Sequence, residues 1–364
     1  MHTKPRKVTM AVVALSVCSC LLIIGPRAAA RAQGQEQQQQ TPAAAAAAER
    51  ERGVESYRQG NIKAAVKALR AAVKQDKADA DAWYFLSLAL NRDGETKDAR
   101  KAVERSVKLR PNFAPARAGF AYFLLLSNKL ADALREAEAT LALDAHNAEA
   151  HYVASVVHLR RDAPDKALES IQAALAAKPD FAAALQWKSH VLLELYSRKT
   201  DYVENESPEE RARRTKGTGD LLKEAADSLD KYLKLNPSPK NEDVWRQQLA
   251  TLRTYAQNTG GNVPTYERTV FFPNQVTTKA RILSRPEPQY TPEARKNLVT
   301  GAAVLRAVFA ADGTVQDILV VRSLPYGLTE LCVRAARKIK FVPATKDGRP
   351  VSQFIQIEYN FNLY

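Results

Sequence analysis

Ala65, Ala99, Ala133 and Ala167 fall at a constant interval of 34 residues. Leu69, Val103, Ala137 and Ile171 keep the same interval four residues further on. Pro111 and Pro179 close two of the units, and Lys77 and Ala145 take the equivalent place in the others. Such a period, with apolar residues at helical spacing inside it, restricts the chain to stacked pairs of amphipathic helices. No unit can bury its apolar face alone, so each must lie against its neighbours. The small residue at every Ala position lets the second helix of a pair approach the first closely. A proline at the end of a unit stops that second helix before the next unit begins.

Trp83, Leu86 and Leu90 add the first-helix pattern of one unit, and the whole series resembles the tetratricopeptide repeat. A fifth unit is expected, with its first helix from about Ala182 to Tyr196. Its second helix is LLKEAADSLDKYLKLNP, with Ala225, Leu229 and Pro237 in the repeat positions. Between them lies an insertion, about 197–219, which is highly charged and lacks an apolar period. It is expected as a solvated loop with a short helix from Pro208 to Arg214. A capping helix over 241–257 would turn Val244, Leu249 and Leu252 toward the stack, since a solenoid needs a closed end. The repeats thus occupy 49–258.

Stacked helix pairs form a concave surface lined by the first helix of each pair. Counting along the period places Tyr57, Arg58, Tyr84, Asn91, Arg92, Tyr122, Tyr152, Arg160, Gln186 and His190 near it. Tyrosine offers contact area at low entropic cost and arginine offers paired hydrogen bonds, so this groove suits an extended peptide. The competing expectation is that several of these tyrosines pack between repeats. His151 and His158 share a helix face, seven residues apart, near His146. No acidic or cysteine ligand is placed to complete a metal site with them, so they are expected to pack.

The ends of the chain differ in kind. MHTKPRK precedes an apolar stretch from Val8 to Gly25 and a set of small residues at Ala28, Ala29, Ala30 and Ala32. Residues 1–32 therefore form a signal peptide or, uncleaved, a signal-anchor. Residues 33–48 are Gln- and Ala-rich and form a spacer. Beyond residue 32 the only cysteine is Cys332, so no internal disulfide can form. The net charge is +14, but no basic stripe with interleaved aromatics is present, which argues against nucleic acid as a partner. The sequence has no G-x-S-x-G, H-E-x-x-H or Walker-type loop, and no enzymatic activity or cofactor is expected.

Residues 259–279 contain Gly260, Gly261, Pro264 and Pro273 and are expected as a linker. A second domain follows over 280–364. In PEPQYTPEARKN, Thr291 caps a short helix with Pro292 at its first position. A strand then alternates Ala303, Leu305, Ala307 and Phe309 with Val304, Arg306 and Val308. Asp312-Gly313 makes a hairpin turn into VQDILVVRS. The helix GLTELCVRAARKI and the connection FVPATKDGRP lead to a final strand. There Val351, Ile355, Ile357, Tyr359, Phe361 and Leu363 oppose Ser352, Gln356, Glu358, Asn360 and Asn362.

Gly301, Asp312-Gly313, Tyr290-Thr291-Pro292 with Ala294-Arg295, and Phe341, Pro343 and Ala344 occur in an order that resembles the C-terminal domain of TonB. The fold expected is multidomain: an all-α tetratricopeptide solenoid followed by a small α+β domain with a three-stranded antiparallel sheet and two helices. The resemblance implies binding of a receptor segment by strand addition beside the last strand, with Glu287, Gln289, Tyr290, Gln356, Glu358 and Asn360 at that edge. Glu287 stands where the family has Gln, and an ionised Glu cannot donate as an amide does. Family anchors carry a Ser and a His one helical turn apart; here Ser16 is followed by Cys20 and no His. The function expected is an exported adaptor of the periplasm or cell envelope, with protein or peptide partners and an outer-membrane receptor among them. The alternative is a TonB-type energy transducer held in the inner membrane by its N-terminal segment.

Overall fold

The computed structural model describes residues 42–200, 206–236, 241–258 and 270–363. The signal or anchor segment and most of the spacer lie outside them. Among the described residues no helix is long and apolar enough to cross a membrane.

Helices come in antiparallel pairs: α1 (Pro42–Arg58) with α2 (Ile62–Gln75), α3 (Ala80–Arg92) with α4 (Thr96–Leu109), α5 (Ala114–Leu126) with α6 (Leu130–Leu143), and α7 (Ala148–Arg160) with α8 (Pro164–Ala177). Ala65, Ala99, Ala133 and Ala167 are completely buried, as are Leu69, Val103, Ala137 and Ile171. The close approach that the period implies is therefore present at every pair. The turn inside each pair also follows the period. Gly60, Gly94, Asn128 and Asp162 are each 34 residues apart and adopt positive φ of 80°, 86°, 56° and 65°. Glycine enters this left-handed region without cost, and Asn and Asp are the side chains that best tolerate it.

The next position in that series is Tyr196, which cannot make the turn cheaply. Helix α9 instead runs on from Ala182 to Thr200, beyond the expected end. The chain returns through α10 (Pro208–Thr215), and the second helix of the fifth unit, α11 (Thr218–Leu235), then packs on α9. Ser207 and Glu210 form a capping box at the start of α10, at 3.2 and 2.9 Å. Helix α12 (Glu242–Asn258) caps the stack, burying Trp245, Leu249 and Leu252.

The C-terminal domain contains β1 (Val270–Phe271), β2 (Arg281–Ser284), α13 (Pro292–Lys296), β3 (Gly301–Phe309), β4 (Val315–Arg322), α14 (Leu328–Ala336), β5 (Lys340–Val342), β6 (Ala344–Lys346) and β7 (Arg349–Phe361). The expected three-stranded antiparallel core is β7-β3-β4, in register from Gly301 opposite Phe361 to Phe309 opposite Gln353. Two short strands extend it. Strand β1 runs parallel to β7 beside Ser352 and Gln353, so part of the expected linker belongs to the sheet. Strand β6 pairs with the start of β7, and β2 with β5 forms a separate ribbon. The Gln353 side chain, fully buried, accepts a hydrogen bond from the Ala280 backbone at 2.7 Å and fastens the entering chain to β7.

Helices α13 and α14 cover one face of the sheet, over Ala303, Leu305, Phe309, Ile357, Tyr359 and Phe361. The other face is covered over β3 and β4 and left exposed along β7 at Gln356, Glu358 and Asn360. In β4 the run Ile318, Leu319, Val320 and Val321 is buried throughout. Ile318 and Val320 enter the core of their own domain, and Leu319 enters that of α9, α11 and α12, with Leu192, Leu193 and Leu252. Polar contacts flank this seam. Arg306 donates to Thr200 Oγ1 at 2.6 Å, Val320 N donates to Gln248 Oε1 at 3.2 Å, and Arg334 pairs with Asp243 at 3.1 Å. The second domain is thus packed onto the fifth unit and its cap.

Candidate functional site

Two places in the molecule offer binding chemistry: the free side of β7 and the concave face of the solenoid. On its free side β7 is paired by β6 and β1 only up to Gln353. Among the described residues no strand pairs there from Ile355 to Phe361. The side chains alternate cleanly along it. Ile357, Tyr359 and Phe361 are buried, while Gln356, Glu358 and Asn360 are exposed. A strand edge of this kind presents backbone donors and acceptors to an incoming strand.

The segment before α13 lies against the far end of β7. The Arg285 guanidinium stands 4.5 Å from the Tyr359 ring centroid and donates to the Glu358 carbonyl. Glu287 is exposed and pairs with Arg285 Nε at 3.3 Å. Gln289 is exposed next to it. Tyr290 packs edge-on against Phe361, with centroids 5.1 Å apart, and its hydroxyl donates to the Val299 carbonyl at 2.7 Å. Glu287, Tyr290 and Glu358 are therefore brought to one end of the edge, with Arg285 between them. That arginine was not among the residues singled out from sequence, because the carbonyl and ring that tie it to the edge lie 73 and 74 positions away.

The concave face divides into two halves. Toward the N-terminal end, Arg92 lies over the Tyr57 ring at 5.0 Å, and Tyr84 meets the Phe113 ring edge-on at 5.2 Å. Burial pushes the Tyr84 hydroxyl up to about 12. Arg58 and Asn91 are exposed. This half is open. Toward the C-terminal end, Tyr122, Tyr152, Arg160, Gln186 and His190 line a cavity whose opposite wall is the C-terminal domain, including Leu324, Pro325 and Tyr326. The tyrosines expected along one continuous groove are thus shared between an open surface and an interdomain space. Trp187, Trp245 and Tyr326 also line that space. No count along a 34-residue period reaches the last of these.

The histidines have specific structural surroundings. A His151 ring nitrogen contacts the Ala145 carbonyl at 3.0 Å. Arg117 and Trp83, one and two periods earlier, donate to the carbonyls of Pro111 and Lys77 in the same way. His151 thus occupies a repeat-tethering position. Among the described residues no group of three His, Cys, Asp or Glu side chains could hold a metal ion.

His190 is buried at 8% exposure, and loss of hydration lowers its pKa from 6.5 to about 4. Between those values the unfolded chain binds a proton that the folded chain excludes, so stability rises with pH across that window and is flat above it. Acidification from pH 6.5 to 4 is expected to remove on the order of 3 kcal/mol through this group. Urea unfolding at both pH values, in the wild type and in His190→Gln, measures it. The variant is expected to lose that part of the pH dependence.

Comparison with known proteins agrees with both halves of the chain. Residues 286–363 match the family model described as Gram-negative bacterial TonB protein C-terminal, and residues 50–112 and 124–182 match the tetratricopeptide repeat model. No curated protein matches the chain. Among solved structures, MamA is 19% identical with a TM-score of 0.39, covering 54% of this chain and 98% of that one. A thermophilic TPR protein of Thermus thermophilus, TTC0263, is 20% identical with a TM-score of 0.41, covering 57% and 99%. PilW, a type IV pilus biogenesis factor, is 15% identical with a TM-score of 0.43, covering 59% and 87%. The chain is a tetratricopeptide-repeat protein that ends in a TonB C-terminal domain.

Proposed function

We propose that the chain is an exported, non-enzymatic adaptor of the cell envelope that joins two protein partners. The TonB-like domain takes one partner by strand addition along Ile355–Phe361 of β7. The open half of the repeat groove, at Tyr57, Tyr84 and Arg92, takes the other as an extended peptide. The observation that carries this reading is the unpaired edge of β7, in a domain whose family model is that of a bacterial envelope protein. Main-chain hydrogen bonds along such an edge supply affinity, and the alternating side chains supply selectivity. Arg285, Glu287 and Tyr290 at the end of the edge would meet the flank of the incoming strand.

Glu358 offers the sharpest test. Its carbonyl accepts from Arg285. In an antiparallel strand the N–H and C=O of one residue point to the same side. The Glu358 N–H therefore faces away from β3, and a proline there leaves the β3–β7 ladder intact. Glu358→Pro is expected to shift the thermal midpoint by only a few degrees and to reduce recovery of the bound partner from an envelope extract at least tenfold. Unchanged recovery would contradict strand addition at this edge. Tyr84→Ala combined with Arg92→Ala is expected to spare that partner and to lose the one held by the repeats.

A further inference from the structure

The space between the solenoid and the C-terminal domain is a cavity of about 720 Å³. That falls within the roughly 300–1,000 Å³ typical of small-molecule sites. One wall is built by α5, α7 and α9, and the other by the start of β3 and the loop from Ser323 to Gly327. This loop is held in an unusual backbone conformation. Tyr326 has φ of 60°, followed by Gly327 at 81°. For a tyrosine the left-handed region costs on the order of 1 kcal/mol. Thr291 Oγ1 fixes the conformation by donating to the Tyr326 carbonyl at 2.8 Å.

The polar groups around the cavity are unevenly satisfied. Arg198 pairs with Asp162 and with Glu194, and Glu194 also meets Arg322 at 3.7 Å. These charges offset one another. Arg160 is different. Arg160 is exposed, no carboxylate among the described residues lies within ion-pair distance of it, and its hydrogen-bond partner is Asn128 Oδ1 at a long 3.4 Å. Tyr152 and Tyr326 are close enough for Arg160 to perturb their titration. His190 Nδ1 and the Tyr326 hydroxyl are both buried without a hydrogen-bond partner. Three tyrosines and two tryptophans supply flat apolar wall. A solvent-accessible guanidinium with no ion-pair partner, beside aromatic walls, is the recognition group for a carboxylate on a flat apolar body.

We propose that this interdomain cavity binds a small aromatic carboxylate, with its carboxylate on Arg160 and its ring between Tyr152, Trp187 and Tyr326. The site depends on the docked arrangement of the two domains and not on strand addition at β7. A ligand that touches both walls stabilises that docking by mass action.

Trp187 and Trp245 are two of the three tryptophans and both line the cavity, so intrinsic fluorescence reports on it directly. The full chain is titrated with N-acetyl-L-phenylalanine and with the uncharged N-acetyl-L-phenylalaninamide, and equilibrium dialysis provides a second readout. The acid is expected to change the emission saturably and to bind at least tenfold more tightly than the amide. In Arg160→Gln, with folding checked by circular dichroism, that preference is expected to vanish, and Arg160→Lys should keep part of it. Equal binding of acid and amide, no saturation up to about 10 mM, or an unchanged preference in Arg160→Gln would each overturn the proposal. Glu358→Pro is expected to leave this titration unaltered, which separates failure here from failure of the adaptor reading.

Discussion

Leu319→Asp is expected to release the C-terminal domain from the solenoid while both halves stay folded. Leu319 is 1% exposed, and its side chain lies among leucines of α9, α11 and α12 rather than in its own domain. Ile318 and Val320, on either side of it, point into the core of the C-terminal domain and are untouched by the change. An unpaired carboxylate buried in that seam costs several kcal/mol. The polar contacts that remain, such as Arg306 with Thr200, are each worth about 1 kcal/mol and do not offset it. Small-angle scattering is expected to show a larger radius of gyration in the variant than in the wild type. Far-ultraviolet circular dichroism should be unchanged. A variant as compact as the wild type would mean that β4 does not carry the docking.

Phe309→Ala is expected to cost about 3–5 kcal/mol, the largest loss of stability from a single truncation in the C-terminal domain. Phe309 is fully buried on β3, which lies between β7 and β4. Its ring stacks on Phe341 with centroids 4.1 Å apart. Removing it leaves a cavity at the centre of the sheet, where rigid strands on both sides limit collapse. A domain of this size is stabilised by only about 5–15 kcal/mol, so a large share would be lost and the β7 edge would fray with it. Urea unfolding followed by circular dichroism measures the change. A loss below about 1 kcal/mol would contradict the packing described.

The helical half of the molecule was legible in the sequence because its constraint is local and periodic. Ala65, Ala99, Ala133 and Ala167 announced the helix crossings, and all four are buried. A second signal of the same period was present and carries more information. Gly60, Gly94, Asn128 and Asp162 are the residues that tolerate a left-handed turn, and Tyr196 is not. That substitution marks where the regular hairpin is lost and α9 extends. The contact between the domains also left a trace. Ile318 to Val321 is a continuous apolar run, and a strand with one solvated face would alternate. What covers its second face is not written locally, because α9, α11 and α12 are tens of residues away. Strand β1 was missed because two residues that borrow their pairing from β7 carry no pattern of their own. The cavity was missed for the same reason. Arg160 and Tyr326 are brought together only by the docking of two domains.

Amide hydrogen exchange along β7, with and without the partner recovered from the envelope, tests the adaptor account most directly. If the partner adds as a strand, the N–H groups of Gln356, Glu358 and Asn360 will become protected in the complex. Those of Ile357 and Tyr359, already in the ladder with β3, will change little. Protection confined to the helices of the solenoid, with Gln356, Glu358 and Asn360 exchanging as in the free protein, would contradict it.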